Sequence, residues 1–396
     1  TDVAYTGTIV TGGAQVTASI PTANKVGLLI FDGLAGQRLS LGLTSVTIAQ
    51  STLYLYRPDG PLLSQSAPIN SSGGSFDFDV LPVSGAYTIL IDPTSTYTGN
   101  MTLTLSAELT GNITPDGSPV TVSITRVGQN ARYLFTATSG QTISLGMTNS
   151  SIASGNVAMY KPDGTVLVNP TAFSNGAIDS QVLPASGTYA IFVDPYATYT
   201  GSITLTLYNT PDVTGTITID GTSVSPSLTV PGQRARYTFT GTAGQQLNLG
   251  ASGVTITSSM VSILKPDGTS LASSSIGTTG GSVDPPPLPT TGTYTVVVDP
   301  NGLYTGNMTL TLSAPVSGTI AIDGSAVAFT TTRPGQIGTY TVSGTAGQYL
   351  SLGLTNSSLL MATVSLLKPD GATLSSTTIG TSGGSLDPPV LPTTGT

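Results

Sequence analysis

Apolar and polar residues alternate with a period of two along most of this chain. In one run Met308, Leu310 and Leu312 fall on one strand face, and Asn307, Thr309 and Thr311 fall on the other. Such a run predicts a strand with one face in a core and one in solvent. The runs are short and are separated by Pro-Asp-Gly and Asp-Gly turns, which supply the backbone geometry that tight strand connections need. No window carries a helical period, so the chain reads as all-β.

The pattern also repeats at long range. The turn Arg57-Pro58-Asp59-Gly60 returns at Lys161–Gly164, Lys265–Gly268 and Lys368–Gly371, so its proline moves from 58 to 162, 266 and 369. The segment Ala35-Gly36-Gln37 returns at Ser139–Gln141, Ala243–Gln245 and Ala346–Gln348, with the same steps of 104, 104 and 103 residues. Two independent landmarks in one register define four copies of one module. Module openings at Thr6-Gly7-Thr8-Ile9, Thr110-Gly111-Asn112-Ile113, Thr214-Gly215-Thr216-Ile217 and Ser317-Gly318-Thr319-Ile320 set the boundaries: 1–109, 110–213, 214–316 and 317–396.

With about eight strands in each module, the expected architecture is a tandem array of four jelly-roll or immunoglobulin-like β-sandwiches. The fourth lacks the counterpart of Tyr294 through Ser313, which are the last two strands of the third. That predicts either an excerpt from a longer array or completion by strands from a neighbouring subunit. The first reading is favoured because residues 1–5 match the linker Thr210-Pro211-Asp212-Val213. Linkers this short predict a semi-rigid rod, roughly 35 Å across each module and roughly 140 Å for four in line.

Composition sharpens this picture. Only 8% of residues are charged against 38% hydrophobic, and Ser, Thr, 48 Gly and 27 Pro take up the remainder. Thr favours strands while Ser, Gly and Pro favour turns, so the surface should be rich in hydroxyls. A net charge of -8 with only 11 Lys and Arg argues against nucleic acid as a partner, because phosphate binding needs clustered cations. Cysteine is absent, so no disulfide staples the modules. No stretch of 18 apolar residues offers a membrane span.

Three linked motifs carry a resemblance. Gly36-Gln37 precedes Leu39-Ser40-Leu41-Gly42-Leu43, a Lys-Pro-Asp-Gly turn follows in later copies, and each complete copy closes as in Leu288-Pro289-Thr290-Thr291-Gly292-Thr293-Tyr294 through Val298-Asp299-Pro300. This pattern resembles the bacterial pre-peptidase C-terminal-like repeats found in large secreted and surface proteins. The resemblance covers every module and implies a jelly-roll-like fold, secretion and a non-catalytic accessory role. It brings no catalytic residues.

The candidate chemistry is sparse. With neither His nor Cys, the chain lacks Ser-His-Asp and Cys-His nucleophile systems and the usual zinc ligands. A Ser-Lys pair at Lys161, Lys265 or Lys368 reads better as a surface turn, since the first copy has Arg57 there. No cofactor is expected. Calcium is the one metal weighed, at Asp92, Asp194 and Asp299 before Pro or at Asp59, Asp163, Asp267 and Asp370 in turns, with Asp77 and Asp79 the only close pair. Turn-capping and strand-ending roles are the preferred reading of these residues. Asn-x-Ser/Thr sequons make Asn70, Asn100, Asn112, Asn149, Asn307 and Asn356 candidate glycan acceptors. Tyr97, Tyr199 and Tyr304 recur before Thr-Gly and are expected to pack in the core or between modules.

Repetition, short linkers and the lack of reactive side chains predict a non-catalytic extracellular or cell-surface protein that forms a rod, fibre or filament. Its expected partners are copies of itself or further repeats of the same chain, and glycans. The alternatives are a multivalent adhesin or carbohydrate-binding array, and the accessory stalk of a secreted enzyme.

Overall fold

A computed structural model describes residues 2–173 and 175–396, and the described residues contain strands, turns and no helix. The first repeat has ten strands: β1 (Val3–Thr8), β2 (Val16–Ile20), β3 (Val26–Gly33), β4 (Leu39–Thr44), β5 (Gln50–Tyr56), β6 (Leu62–Gln65), β7 (Ile69–Asn70), β8 (Gly74–Asp77), β9 (Gly85–Pro93) and β10 (Gly99–Ala107). One sheet runs β1-β3-β9-β5-β6 with β7 on β5, and the other runs β2-β10-β4-β8. The strands that end the repeat are central: β9 lies between β3 and β5, and β10 lies between β2 and β4.

The predicted alternation builds the core between these sheets. Tyr87, Ile89 and Ile91 on β9 and Met101, Leu103 and Leu105 on β10 are fully buried in one cluster with Leu29, Leu41 and Leu53. Each such side chain contributes roughly 1.5–3 kcal/mol relative to an exposed one. The second and third repeats have equivalent clusters, around Tyr189 and Tyr294. In all three the tyrosine lies flat against a phenylalanine, Phe31, Phe135 or Phe239. Its hydroxyl donates to a carbonyl four residues earlier, Val83 at 2.6 Å, Ala185 at 2.6 Å or Thr290 at 2.7 Å. The Gly-Thr-Tyr signature is thus an apolar anchor whose one polar atom is satisfied.

The structure corrects the expectation of four tandem jelly-roll or immunoglobulin-like sandwiches. The fourth copy closes no core, as the absence of its last two strands predicts; what is overturned is the separateness of the modules. In residues 317–396 the strand Gly338–Thr341 pairs only with Val316–Thr319, Leu352–Leu354 only with Gly384–Leu386, and Ala362–Leu367 only with Thr373–Ile379. Ile379 and Leu386 are the sole buried hydrophobic side chains there, while Leu360 and Met361 are 90% and 79% exposed. No strand fills the two central positions that β9 and β10 occupy in the first repeat, so the three ladders have nothing to join them.

The repeats are also not separate modules strung on linkers, because each is stacked directly on the one before. Ladder direction defines how the stack is built. Among the described residues the parallel ladders are confined to the opening strand of each repeat, and every other ladder is antiparallel and closes within its own repeat. Stacking is carried instead by loops laid on sheet faces.

That contact overturns a second expectation, of a solvent face opposite the core. Strand β4 is buried along both faces, and on β10 Thr102, Thr104 and Ser106 are 6%, 9% and 0% exposed. Thr311 and Ser313 on the equivalent third-repeat strand are likewise buried, so only Asn307 of that run's polar set is fully exposed. Tyr189→Phe, which strands the Ala185 carbonyl without its donor, is expected to destabilise the second repeat by about 1–3 kcal/mol in urea denaturation while leaving the other transitions in place.

Candidate functional site: the joint between repeats

A four-residue loop before the strand equivalent to β3 makes each joint. Its sequence is Arg126-Val127-Gly128-Gln129 in the second repeat, Val230-Pro231-Gly232-Gln233 in the third and Arg333-Pro334-Gly335-Gln336 in the fourth. A turn closed by Gln129 N donating to Arg126 O at 3.1 Å shapes the loop, with Gly128 at φ 72°. The turn lies on β4 of the first repeat so closely that a Cβ on Gly42 would run into the Val127 carbonyl. A Cβ on Gly128 would stand 2.6 Å from the Leu41 oxygen. Gly250 and Gly335 make the same backbone-on-backbone approach at the third joint. Glycine is needed on both sides because any side chain would hold the two backbones apart.

Polar ties then fix the orientation. Arg126 Nε donates to Ser106 Oγ at 2.9 Å, and Nη2 donates to the carbonyls of Gly13 at 2.8 Å and Leu105 at 3.2 Å. Arg333 repeats this clamp on Ser313 at 2.8 Å, Gly221 at 2.5 Å and Leu312 at 3.3 Å. At the middle joint Val230 replaces the arginine, and Ser144 Oγ donates to Pro231 O at 2.6 Å while Ser180 Oγ donates to Gly232 O. All three glutamines donate to a linker carbonyl, of Ala107, Pro211 or Ala314, at 3.1 Å. A guanidinium in a low-dielectric contact satisfies several carbonyls at once, which suits it to a joint with few other charges.

Charged pairs flank the loop. Glu108 in the first linker accepts from Arg132 Nε at 3.0 Å, and Asp212 in the second accepts from Arg236 Nε at 2.7 Å. Arg132 also stacks over the Phe192 and Tyr160 rings, at 4.8 and 5.5 Å. At the first joint Asn130 Nδ2 donates to Asp77 Oδ1 at 2.7 Å; at the second, Arg234 pairs with Asp299 at 2.9 Å. Burial raises the Asp77 carboxyl against the opposing Asn130 bond, with a further push from Glu108. Burial, and then the charge of Asp77, pushes Asp194 up to about 7.

The residues singled out in the sequence fall elsewhere. The turn aspartates cap their own turns, with Asp163 and Asp267 each accepting from the backbone and hydroxyl of the threonine two residues on, at 2.9 and 2.6 Å. Those bonds hold both carboxyls below their ordinary range. Lys265 and Lys368 pair with the aspartate of the same turn at 3.6 and 3.2 Å. Among the described residues no three carboxylates converge on a metal-sized site.

All six sequon asparagines are exposed, and the structure does not gather them into one place. Asn70 Oδ1 accepts from Ser72 N at 2.9 Å, and Asn307 Oδ1 accepts from Thr255 Oγ1 at 2.6 Å. The expectation for the tyrosines is corrected: Tyr97, Tyr199 and Tyr304 are 42%, 44% and 44% exposed. Their turn does reach the joint, but through the neighbours Thr198 and Leu303, which face Gly73 and Gly146 of the preceding repeat. The docking loop was legible as a third periodic landmark, x-x-Gly-Gln, although nothing local distinguishes it from an ordinary turn.

Fold and joint together define a repetitive all-β protein whose units are stacked through loops. Among the described residues no helix is long and apolar enough to cross a membrane. No protein-family model matches the chain, and no curated protein matches it. The pre-peptidase-like resemblance therefore remains a likeness of turn and strand motifs. Among solved structures, the chain is similar to the periplasmic g-type lysozyme inhibitor PliG of Aeromonas hydrophila, at 19% identity over 26% of this chain and 99% of that one, with a TM-score of 0.20. The CUB1-EGF-CUB2 region of human MASP-1/3 matches at 9% identity over 49% of this chain and 98% of that one, TM-score 0.18. A biofilm-associated protein BSP domain matches at 10% identity over 97% and 94%, TM-score 0.14. Scores this low carry no argument about fold or function.

Replacing Gly42 by Val is expected to cost the first joint about 1–3 kcal/mol by overpacking. The amides of residues 126–129 should then lose hydrogen-exchange protection while those of β9 and β10 keep theirs.

Proposed function

We propose that this chain is a non-catalytic structural protein of the cell exterior, a rod, stalk or fibre that spans distance by stacking repeats. The observation that supports this most is the recurrence of one docking loop at three joints, each with a glycine laid on the preceding sheet. A joint of backbone on backbone restricts orientation in a way that a flexible linker does not. The pre-peptidase-like resemblance and the hydroxyl-rich, weakly charged surface support an extracellular setting. Partners on this reading are further repeats of the same kind or copies of the chain. Electron microscopy of native material is expected to show stiff rods or filaments with an axial repeat of one or two units. Short, freely bending particles would count against the reading.

A second reading, a multivalent adhesin or carbohydrate-binding array, is favoured by the half-exposed tyrosines at one position per complete repeat. Binding to a glycan panel that falls at least tenfold when Tyr97, Tyr199 and Tyr304 are all changed to Ala would support it. The six exposed asparagines remain candidate acceptors of N-linked glycans. Intact mass of the native protein is expected to exceed the polypeptide mass, and a mass equal to the bare chain would remove that proposal.

A further inference from the structure

Every copy keeps the receiving half of the joint, but one lacks the docking half. The receiving glycine recurs after a leucine at Gly42, Gly146, Gly250 and Gly353. The docking glycine recurs only at Gly128, Gly232 and Gly335, and the same steps of 104, 104 and 103 residues place Asn24 at its position in the first copy. Thr22, Ala23 and Lys25 stand around it in place of Arg126, Val127 and Gln129. The backbone nonetheless keeps the loop's conformation at this point, with Asn24 at φ 60° against 72°, 80° and 72° for the three glycines. Asparagine enters this left-handed region more readily than most residues with a side chain, so the turn survives without glycine.

What does not survive is the approach to a preceding sheet. A Cβ at Gly128 would stand 2.6 Å from the Leu41 oxygen, at Gly232 2.6 Å from the Ser144 Cβ, and at Gly335 2.5 Å from the Gly250 Cα. Two of these neighbours are backbone atoms and the third is the first atom of a fully buried side chain, so none can swing aside. Asn24 carries that Cβ with an amide beyond it, and it is exposed. The glutamine is lost as well. At all three joints it ties down a linker carbonyl, whereas Lys25 pairs with Asp2 of its own leading segment. The arginine decides less, because Val230 stands in its place at the middle joint and that joint still closes. The first repeat's loop thus lacks both residues that the three joints have in common.

We infer that the first repeat is the terminal unit of a stack: its Thr22–Lys25 surface does not dock on a repeat of this type set ahead of it, because Asn24 holds the two backbones apart. A unit ahead of it is joined by chain alone and bends freely against the stack, whereas the later repeats are locked. Arrays of stacked repeats need atypical end units, since an exact copy would go on recruiting neighbours. The inference concerns the geometry of the joint and stands whether or not the native assembly is a rod.

Transplanting the loop tests this in the full chain. Arg126→Thr, Val127→Ala, Gly128→Asn and Gln129→Lys together set the first repeat's loop into the first joint. The amides of residues 126–129 are then expected to exchange about tenfold faster or more, while those of β9 and of the strand Gly187–Pro195 keep their protection and show both repeats folded. The chain has no cysteine, so dyes at Asp59→Cys and Asp163→Cys can report the distance across the same joint, which is expected to broaden. A second variant with only Arg126→Thr and Val127→Ala keeps Gly128 and Gln129 and is expected to stay closed, as the middle joint does without its arginine. A fourfold variant as protected and as narrowly distributed as the native chain would overturn the inference. So would a twofold variant that opens as widely as the fourfold one, because the Gly-Gln pair would then not be what decides docking.

Discussion

Everything in this protein depends on where the last two strands of a repeat go. β9 and β10 follow all the other strands of the first repeat in sequence, yet each takes the middle of a sheet, so neither sheet is continuous and the core between them is not closed until they arrive. Their contacts are non-local, with Gly99 paired to Ile20 and Gly85 to Gly33. A repeat is therefore cooperative: earlier strands gain little until the later ones cover them. Residues 317–396 show the converse, where strands of the same composition form three short ladders around no shared core.

Closing a repeat also creates the surface that receives the next one. β10 and β4 sit side by side, and their outer faces carry the small residues Gly42, Ser40 and Ser106 rather than large polar groups. A following loop can therefore approach the backbone itself. The carbonyls of Leu105 and Ala107 near the end of β10 then accept from Arg126 and Gln129. Core formation and stacking are thus two faces of the same pair of strands. The joints nonetheless need not be identical, because the loop fixes the approach while neighbouring positions such as Asn130 and Arg234 vary the electrostatics.

The local reading of the sequence was sound at the level of single strands and turns. Met308, Leu310 and Leu312 lie in the core as their spacing requires, and the Pro-Asp-Gly turns are capped by their own aspartates. It went wrong where a face was covered by something distant. Thr311 and Ser313 alternate like solvent residues but lie at a joint, and Tyr304, expected to pack, is half exposed because Leu303 beside it takes the contact. Period two tells which residues share a face; it does not tell what covers that face.

By itself, the sequence determined an all-β chain, a repeat of 104, 104 and 103 residues and the apolar side of each strand, because these follow from local sterics and from periodicity. Only the tertiary structure decided that the repeats stack through a Gly-Gln loop, and that Asp77 and Asn130, 53 positions apart, meet at one joint. Those outcomes rest on contacts between segments of different repeats, and neither propensity nor local pattern encodes which distant backbone will lie within reach of which.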